Sequence, residues 1–191
     1  MDVYSFVYRS VLAAEAVRHA LPVADQPLTE KEPEDEIRRR LPLQSLDDSF
    51  ILAARKMGWV YVAIAAFENS VRQFIEERLV EKVGANWFDS SISTEIKKQV
   101  ETRRKDEEQI RWHSARGSSP LAYVQLGDLA IIVQNNHVHF RELIPSVEWA
   151  REIFRSLERS RNVIMHSGQL KIGDVERVAM NIRDWMQQVG G

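Results

Sequence analysis

The residue types best suited to chemistry fall in one stretch, Ser160-Arg161-Asn162-Val163-Ile164-Met165-His166-Ser167-Gly168. It places a permanently charged guanidinium, an amide and an imidazole, a group that titrates near neutrality, at the end of a helix with an apolar face. On an unbroken helix Asn162 and His166 share a face, whereas Arg161 and His166 point roughly 140° away from each other. They converge if the helix ends near His166, as Gly168 suggests, or if a two-fold dimer brings two copies together. Arg159 also stands within reach of His166 in sequence. A further charge, Glu68, is the one break in an otherwise apolar stripe, with Arg72 one turn on. Structural roles compete with these. A histidine near a helix end caps carbonyls or favours the dipole, and Glu68 with Arg72 makes an internal ion pair that satisfies itself.

The elements that must position these groups read as helices. Phe50, Ala54, Met57, Tyr61, Ile64, Val71, Ile75 and Leu79 recur at steps of three and four from a cap at Asp47 or Asp48 to a stop at Gly84, and all are expected in the core. A mostly polar helix follows from Ser93 to about Trp112. After the turn Gly117-Ser118-Ser119-Pro120, residues Leu121 to Leu126 read as a short extended piece before Asp128 caps a small helix, Leu129 to Gln134. Ser146 caps the helix that carries Arg161, its buried face formed by Val147, Ala150, Phe154 and Leu157. A last helix runs from Asp174 to the final glycines. Ahead of this domain, residues 2 to about 20 fit an amphipathic helix, and Pro22 to Pro42, with acidic then basic clusters and no apolar period, read as a linker or surface loop. The expected organisation is a helix and charged, Pro-containing linker over residues 1–45, then a helical domain over residues 46–191. Helices with short connections make the fold all-α, a bundle with an extra N-terminal helix.

Composition narrows the chemistry. The 191 residues are 44% hydrophobic and 28% charged, with a formal charge of −2, which describes a globular protein rather than a disordered one. With no Cys, a disulfide framework, a thiolate zinc site, an iron–sulfur cluster and a cysteine nucleophile are excluded. No stretch approaches the roughly 20 unbroken apolar residues of a membrane span. The N-terminus, with Arg9, Glu15 and Arg18 inside its apolar pattern, does not read as a signal peptide, so a cytoplasmic location is the expectation. Near-neutral charge requires that any nucleic-acid contact come from a local basic surface. His137 and His139, two apart without a nearby carboxylate, are a poor metal site. Arg151, Arg155 and Arg159 alternate with Glu148, Glu152 and Glu158 and read as a salt-bridged, solvated face.

An Arg and a His separated by four to six residues, in the last part of a long helix before a final C-terminal helix, resembles the signature of the HEPN superfamily, named for higher eukaryotes and prokaryotes nucleotide-binding. Phe67 to Ile75, Gly84 to Phe88, Glu95 to Glu107, Pro120 to Leu129, and Phe140 look like successive blocks of one HEPN subgroup. That subgroup occurs in a eukaryotic nuclear RNA-quality-control endoribonuclease and as stand-alone bacterial proteins. The resemblance covers about residues 47–189. It implies an up-and-down bundle that dimerises through the motif-bearing helices and, in active members, a metal-independent, cofactor-free endoribonuclease. In such enzymes the ribose 2′-OH attacks the adjacent phosphate, leaving a 2′,3′-cyclic phosphate and a 5′-OH.

Carried onto this chain, the resemblance gives His166 the proton transfers, Arg161 the phosphorane charge, and Asn162 the imidazole or a phosphate oxygen. Glu68 and Arg72 orient Arg161 or the phosphate, and Arg159 is a further RNA contact. The implied partners are RNA, a second copy of the chain, and an antitoxin or other regulatory protein, with a toxin-antitoxin or antiviral defence role and no membrane. The alternative is a non-catalytic HEPN dimerisation or nucleotide-binding module that regulates a partner.

Overall fold

The computed structural model describes residues 34–110 and 112–190. The helix expected over residues 2 to about 20 lies outside the described residues. Among those described every regular element is helical, so the fold is all-α. The chain divides into two compact units, Met1–Asp47 and Asp48–Gly191.

In the first unit α1 spans Glu34–Arg40, inside the segment whose missing apolar period predicts a loop. Its order explains the difference. Three acidic residues occupy the first turn and three arginines the last, matching both ends of the helix dipole. Glu36 pairs with Arg39 and Arg40, at 3.2 Å each. No residue of α1 is buried, so local charge order sustains it.

The second unit begins with α2, Asp48–Val83, about 54 Å long at 1.5 Å per residue. Gly84, at φ +93°, ends it in the left-handed region that glycine enters without strain. Short α3, Trp87–Ser91, precedes α4, Thr94–Gln109, whose cap Ser93 accepts the Ile96 N–H at 3.4 Å. The expected extended piece is instead a 3-10 turn, Pro120–Tyr123, opened by Ser119. Leu121, Tyr123, Val124 and Leu126 are all buried, a pattern that breaks the alternation of a half-exposed strand. Helix α5, Leu126–Asn135, starts three residues before the predicted position, so Asp128 lies in its first turn rather than at its cap. Then come α6, His137–Phe140; α7, Val147–Met165, capped by Ser146 through the Trp149 N–H at 3.2 Å; and α8, Ile172–Val189.

Helix α7 packs chiefly on α5 and α8 and also on α2. Trp185 of α8 is the centre of this packing. Its ring lies 4.9 Å from Phe154, 5.9 Å from Phe67 and 6.0 Å from Phe74, centroid to centroid, and stacks on Trp149. Such aromatic groupings add specific geometry to a large buried area.

The apolar stripe of α2 divides. Ile64, Val71, Ile75 and Leu79 are in the core, as their spacing predicts, but the first buried residue of the helix is Val60. Phe50 and Tyr61, on the same stripe, are 75% and 45% exposed, as are Leu52, Trp59 and Val62 on other sides. By length and composition α2 is long and apolar enough to cross a membrane, reaching a mean hydropathy of 1.5 over 18 residues, although sequence inspection finds no unbroken apolar run. Of the stretch that meets this test 22% is buried, and the buried residues of α2 run from Val60 to Leu79.

Trp185→Ala is expected to cost about 3–5 kcal/mol of stability in urea unfolding. Trp112→Ala, at a ring 86% exposed, should stay within about 0.5 kcal/mol of the parent. Equal effects would overturn the assignment of Trp185 as the packing centre.

Candidate functional site

Glu68 is the one charged residue buried among the described residues, 5% exposed on the core-facing side of α2. A carboxylate is tolerated there only with strong partners. Two guanidiniums supply them. Arg72 donates from Nη2 to Glu68 Oε1, and Arg161 Nε of α7 stands 3.5 Å from Glu68 Oε2. Arg72 also donates through Nε to the Leu121 carbonyl at 2.8 Å, through Nη2 to the Val124 carbonyl at 3.0 Å, and through Nη1 to Asn69 Oδ1 at 3.1 Å. Four of its five N–H groups are therefore engaged, two within α2 and two tying it to the carbonyls of Leu121 and Val124. Arg72 is placed as a support, with little donor capacity left for a ligand. Arg161 meets Glu68 only along its Nε edge and is 31% exposed.

The structure thus unites Glu68, Arg72 and Arg161, and leaves Asn162, His166 and Arg159 exposed on α7 and its end. His166 is held by backbone rather than by packing. Helix α7 closes in a Schellman motif: Gly168 N–H reaches the Val163 carbonyl at 2.8 Å and Ser167 N–H the Ile164 carbonyl at 2.9 Å. The left-handed residue of the motif is Ser167, at φ +61°. Gly168 is required for space: an added Cβ would lie 2.7 Å from Val163 Cγ1 and 2.8 Å from the Val163 carbonyl oxygen. The motif fixes His166 as the cap residue at the end of α7.

Beside Arg161 and Glu68 lies a cavity of about 390 Å³ whose charged lining is Arg72, Arg116, Arg161 and Glu68. Three guanidiniums against one carboxylate favour an anion. Its other walls include Tyr61, Asn69 and Gln125. A neighbouring cavity of about 430 Å³ shares Arg72 and Arg116 but adds Glu76 and Glu77, which cancel the charge. Arg116 comes from the segment after α4 and is anchored by Glu107, Nε to Oε1 at 2.9 Å. Glu107 also accepts the Tyr123 hydroxyl at 2.9 Å, and Arg104 and Arg116 lie over the Tyr123 ring at 5.1 and 5.8 Å. Desolvation pushes the Glu107 carboxyl up, but the Tyr123 hydroxyl, the Arg116 backbone N–H and its guanidinium outweigh it and hold the group below its ordinary range. Neither Arg116 nor Tyr123 stands out by sequence spacing.

Exposed apolar side chains gather where the motif-bearing helix ends. Val163 and Met165 in the last turns of α7 and Ile172 at the start of α8 are exposed. The connection between those helices meets the uncovered half of α2, the Leu170 N–H lying 3.3 Å from Met57 Sδ. His137 and His139 lie in α6 rather than in a loop, and the His137 Nε2 sits 2.8 Å from the Ile144 carbonyl. No three His, Asp or Glu side chains among the described residues are grouped as metal ligands. Comparison of the chain with protein-family models, curated proteins and solved structures finds no match.

Arg72→Ala leaves a buried carboxylate and two carbonyls short of a donor and is expected to cost about 3 kcal/mol in urea unfolding. Arg159→Ala should change stability by less than about 0.5 kcal/mol. Similar losses in the two variants would refute the supporting role of Arg72.

Proposed function

We propose that the protein is a homodimeric, metal-independent endoribonuclease of the HEPN type, a toxin or antiphage effector, with a composite site built by the α7 ends of two copies. The observation that carries this reading is the buried Glu68 carboxylate gripping Arg161 from the neighbouring helix. It holds a guanidinium at the mouth of a cationic cavity, five residues before the cap residue His166. An arginine ion-paired along one edge has fewer geometries to search when charge appears on a phosphate.

In this mechanism one imidazole takes the proton of the ribose 2′-OH as the 2′-oxygen bonds to phosphorus. The bond from phosphorus to the 5′-oxygen breaks, and a second imidazole, protonated, gives its proton to that leaving oxygen. Arg161 neutralises the phosphorane oxygens, and Glu68 acts on Arg161 as a positioning residue. Within one copy Arg161 and His166 lie on different sides of α7, so the dimer is what brings two imidazoles and two guanidiniums to one phosphate. The uncovered apolar half of α2 and the exposed end of α7 support that association, since apolar patches of this kind mark contact surfaces.

A non-catalytic module is the second reading, and the exposure of His166 and Asn162 away from the Glu68–Arg161 cluster favours it to the extent that one copy alone lacks a complete site. It retains the dimer and gives the cationic cavity to a bound nucleotide that is not turned over.

End-labelled RNA incubated in excess EDTA separates the readings. Wild type should cleave to cyclic phosphate and 5′-OH ends, and His166→Ala should lose at least about 100-fold in rate with its melting temperature unchanged. Undiminished cleavage by His166→Ala would refute the assigned role. Light scattering should show a dimer for the wild type and a folded monomer, inactive on RNA, for Trp59→Glu, whose side chain is 75% exposed. A monomeric wild type, or a dimer untouched by the substitution, would refute the composite site on this face.

A further inference from the structure

We propose that residues 112–119, ahead of the 3-10 turn, are a binding arm for single-stranded RNA. Trp112 stacks a base, and Arg116 leads the phosphate chain into the cavity beside Arg161. RNA as the ligand is taken from the nuclease reading; the arm adds the preference for unpaired strands.

Trp112 is 86% exposed, more than any other large apolar side chain among the described residues. Phe50, Leu52, Trp59 and Val62 are exposed together on one half of α2, a setting that suits an apolar partner. Trp112 stands in a different setting. From residue 110 to 119 the chain carries Arg111, His113 and Arg116 and no acidic residue, with the half-exposed Ile110 as its apolar neighbour. A ring in water among cations has the composition of a single-strand platform, where rings take bases and guanidiniums take phosphates. A duplex cannot use such a ring, because its bases are already stacked on one another.

The arm is braced without the use of that ring. The His113 N–H donates to the Ile110 carbonyl at 3.1 Å, the Arg116 N–H to Glu107 Oε2 at 3.2 Å, and Arg104 Nη2 to the Ser118 carbonyl at 3.2 Å. Bracing of this kind reduces the ordering cost of binding. Arg116 follows Trp112 by four residues, so their Cα atoms are at most about 14 Å apart, the reach of about four stacked nucleotides. It lines the same cavity as Arg72 and Arg161, where guanidiniums outnumber the one carboxylate. Its pair with Glu107 is a surface one, 53% and 22% exposed, and exchanging it for phosphate costs little. Glu107 then keeps the Tyr123 hydroxyl as a donor, at 2.9 Å.

Fluorescence anisotropy with a labelled 2′-O-methyl oligouridine of about 12 nucleotides tests this without turnover, since the probe lacks the 2′-OH nucleophile. Wild type should bind it more tightly than the 2′-O-methyl duplex of the same length. Trp112→Ala should weaken the single strand about tenfold, within the range one stacked base sustains, and leave the duplex unchanged, whereas Trp112→Phe should stay within about threefold of wild type. Arg116→Ala should lower the slope of log K against log salt by about 0.7, the value of one phosphate contact on a single strand, and Trp112→Ala should leave that slope as it is. No binding of the probe, equal binding of strand and duplex, or full binding by Trp112→Ala would overturn the arm. So would a Trp112→Ala variant that binds RNA as wild type does but loses the dimer in light scattering, which gives the ring to a protein contact. Cleavage dependent on His166 whose KM ignores Trp112→Ala removes the arm and leaves the nuclease reading. Strand binding that needs Trp112, in a protein that cleaves no RNA, removes the nuclease reading and leaves the arm.

Discussion

A single carboxylate buried between two helices sets the constraint on which the site depends. Glu68 has almost no access to water, so its charge survives only because Arg72 and Arg161 approach it from different elements. Arg72 in turn donates to two main-chain carbonyls, Leu121 in the 3-10 turn and Val124 at its end. One buried anion therefore ties together α2, α7 and the Leu121–Val124 backbone, and sets the side from which Arg161 is paired. The geometry of the cavity is a by-product of satisfying that charge.

The same accounting explains why the two guanidiniums differ in what they can offer. Arg72 is enclosed by acceptors and is structural in effect, although it lies as close to the cavity as Arg161 does. Arg161 is held along one edge and stays partly in solvent. Fixing a cation through a buried carboxylate lowers the conformational entropy lost when an anion binds, while leaving the net charge around Glu68 positive.

Much of this was readable in the residue order, for stated reasons. The long periodic stretch gave α2 its limits, Ser93 and Ser146 announced their helices by side-chain caps, and Glu68 stood out because a charge on an apolar stripe needs a partner. Periodicity failed where tertiary context decided. It marks Phe50 and Tyr61 as core although no neighbouring helix covers them, and it sees nothing in Glu34–Arg40, where charge order rather than an apolar face makes the helix. The apolar run Leu121 to Leu126 satisfied a strand as well as a tight helical turn, and Pro120 with Ser119 favoured the turn. Arg116 and Tyr123 reach the cavity only through the packing of a segment distant in sequence, so no spacing rule could have indicated them.

The turn that ends α7 has an evolutionary consequence. Gly168 is hemmed in by Val163 and can hardly vary, yet His166, two residues before it, is exposed and is placed by main-chain hydrogen bonds alone. A mutation that replaces the imidazole therefore leaves the scaffold with its full stability. Descendants of this chain can lose that group in one step and survive as folded proteins, free to drift toward roles in which only the surrounding surface matters.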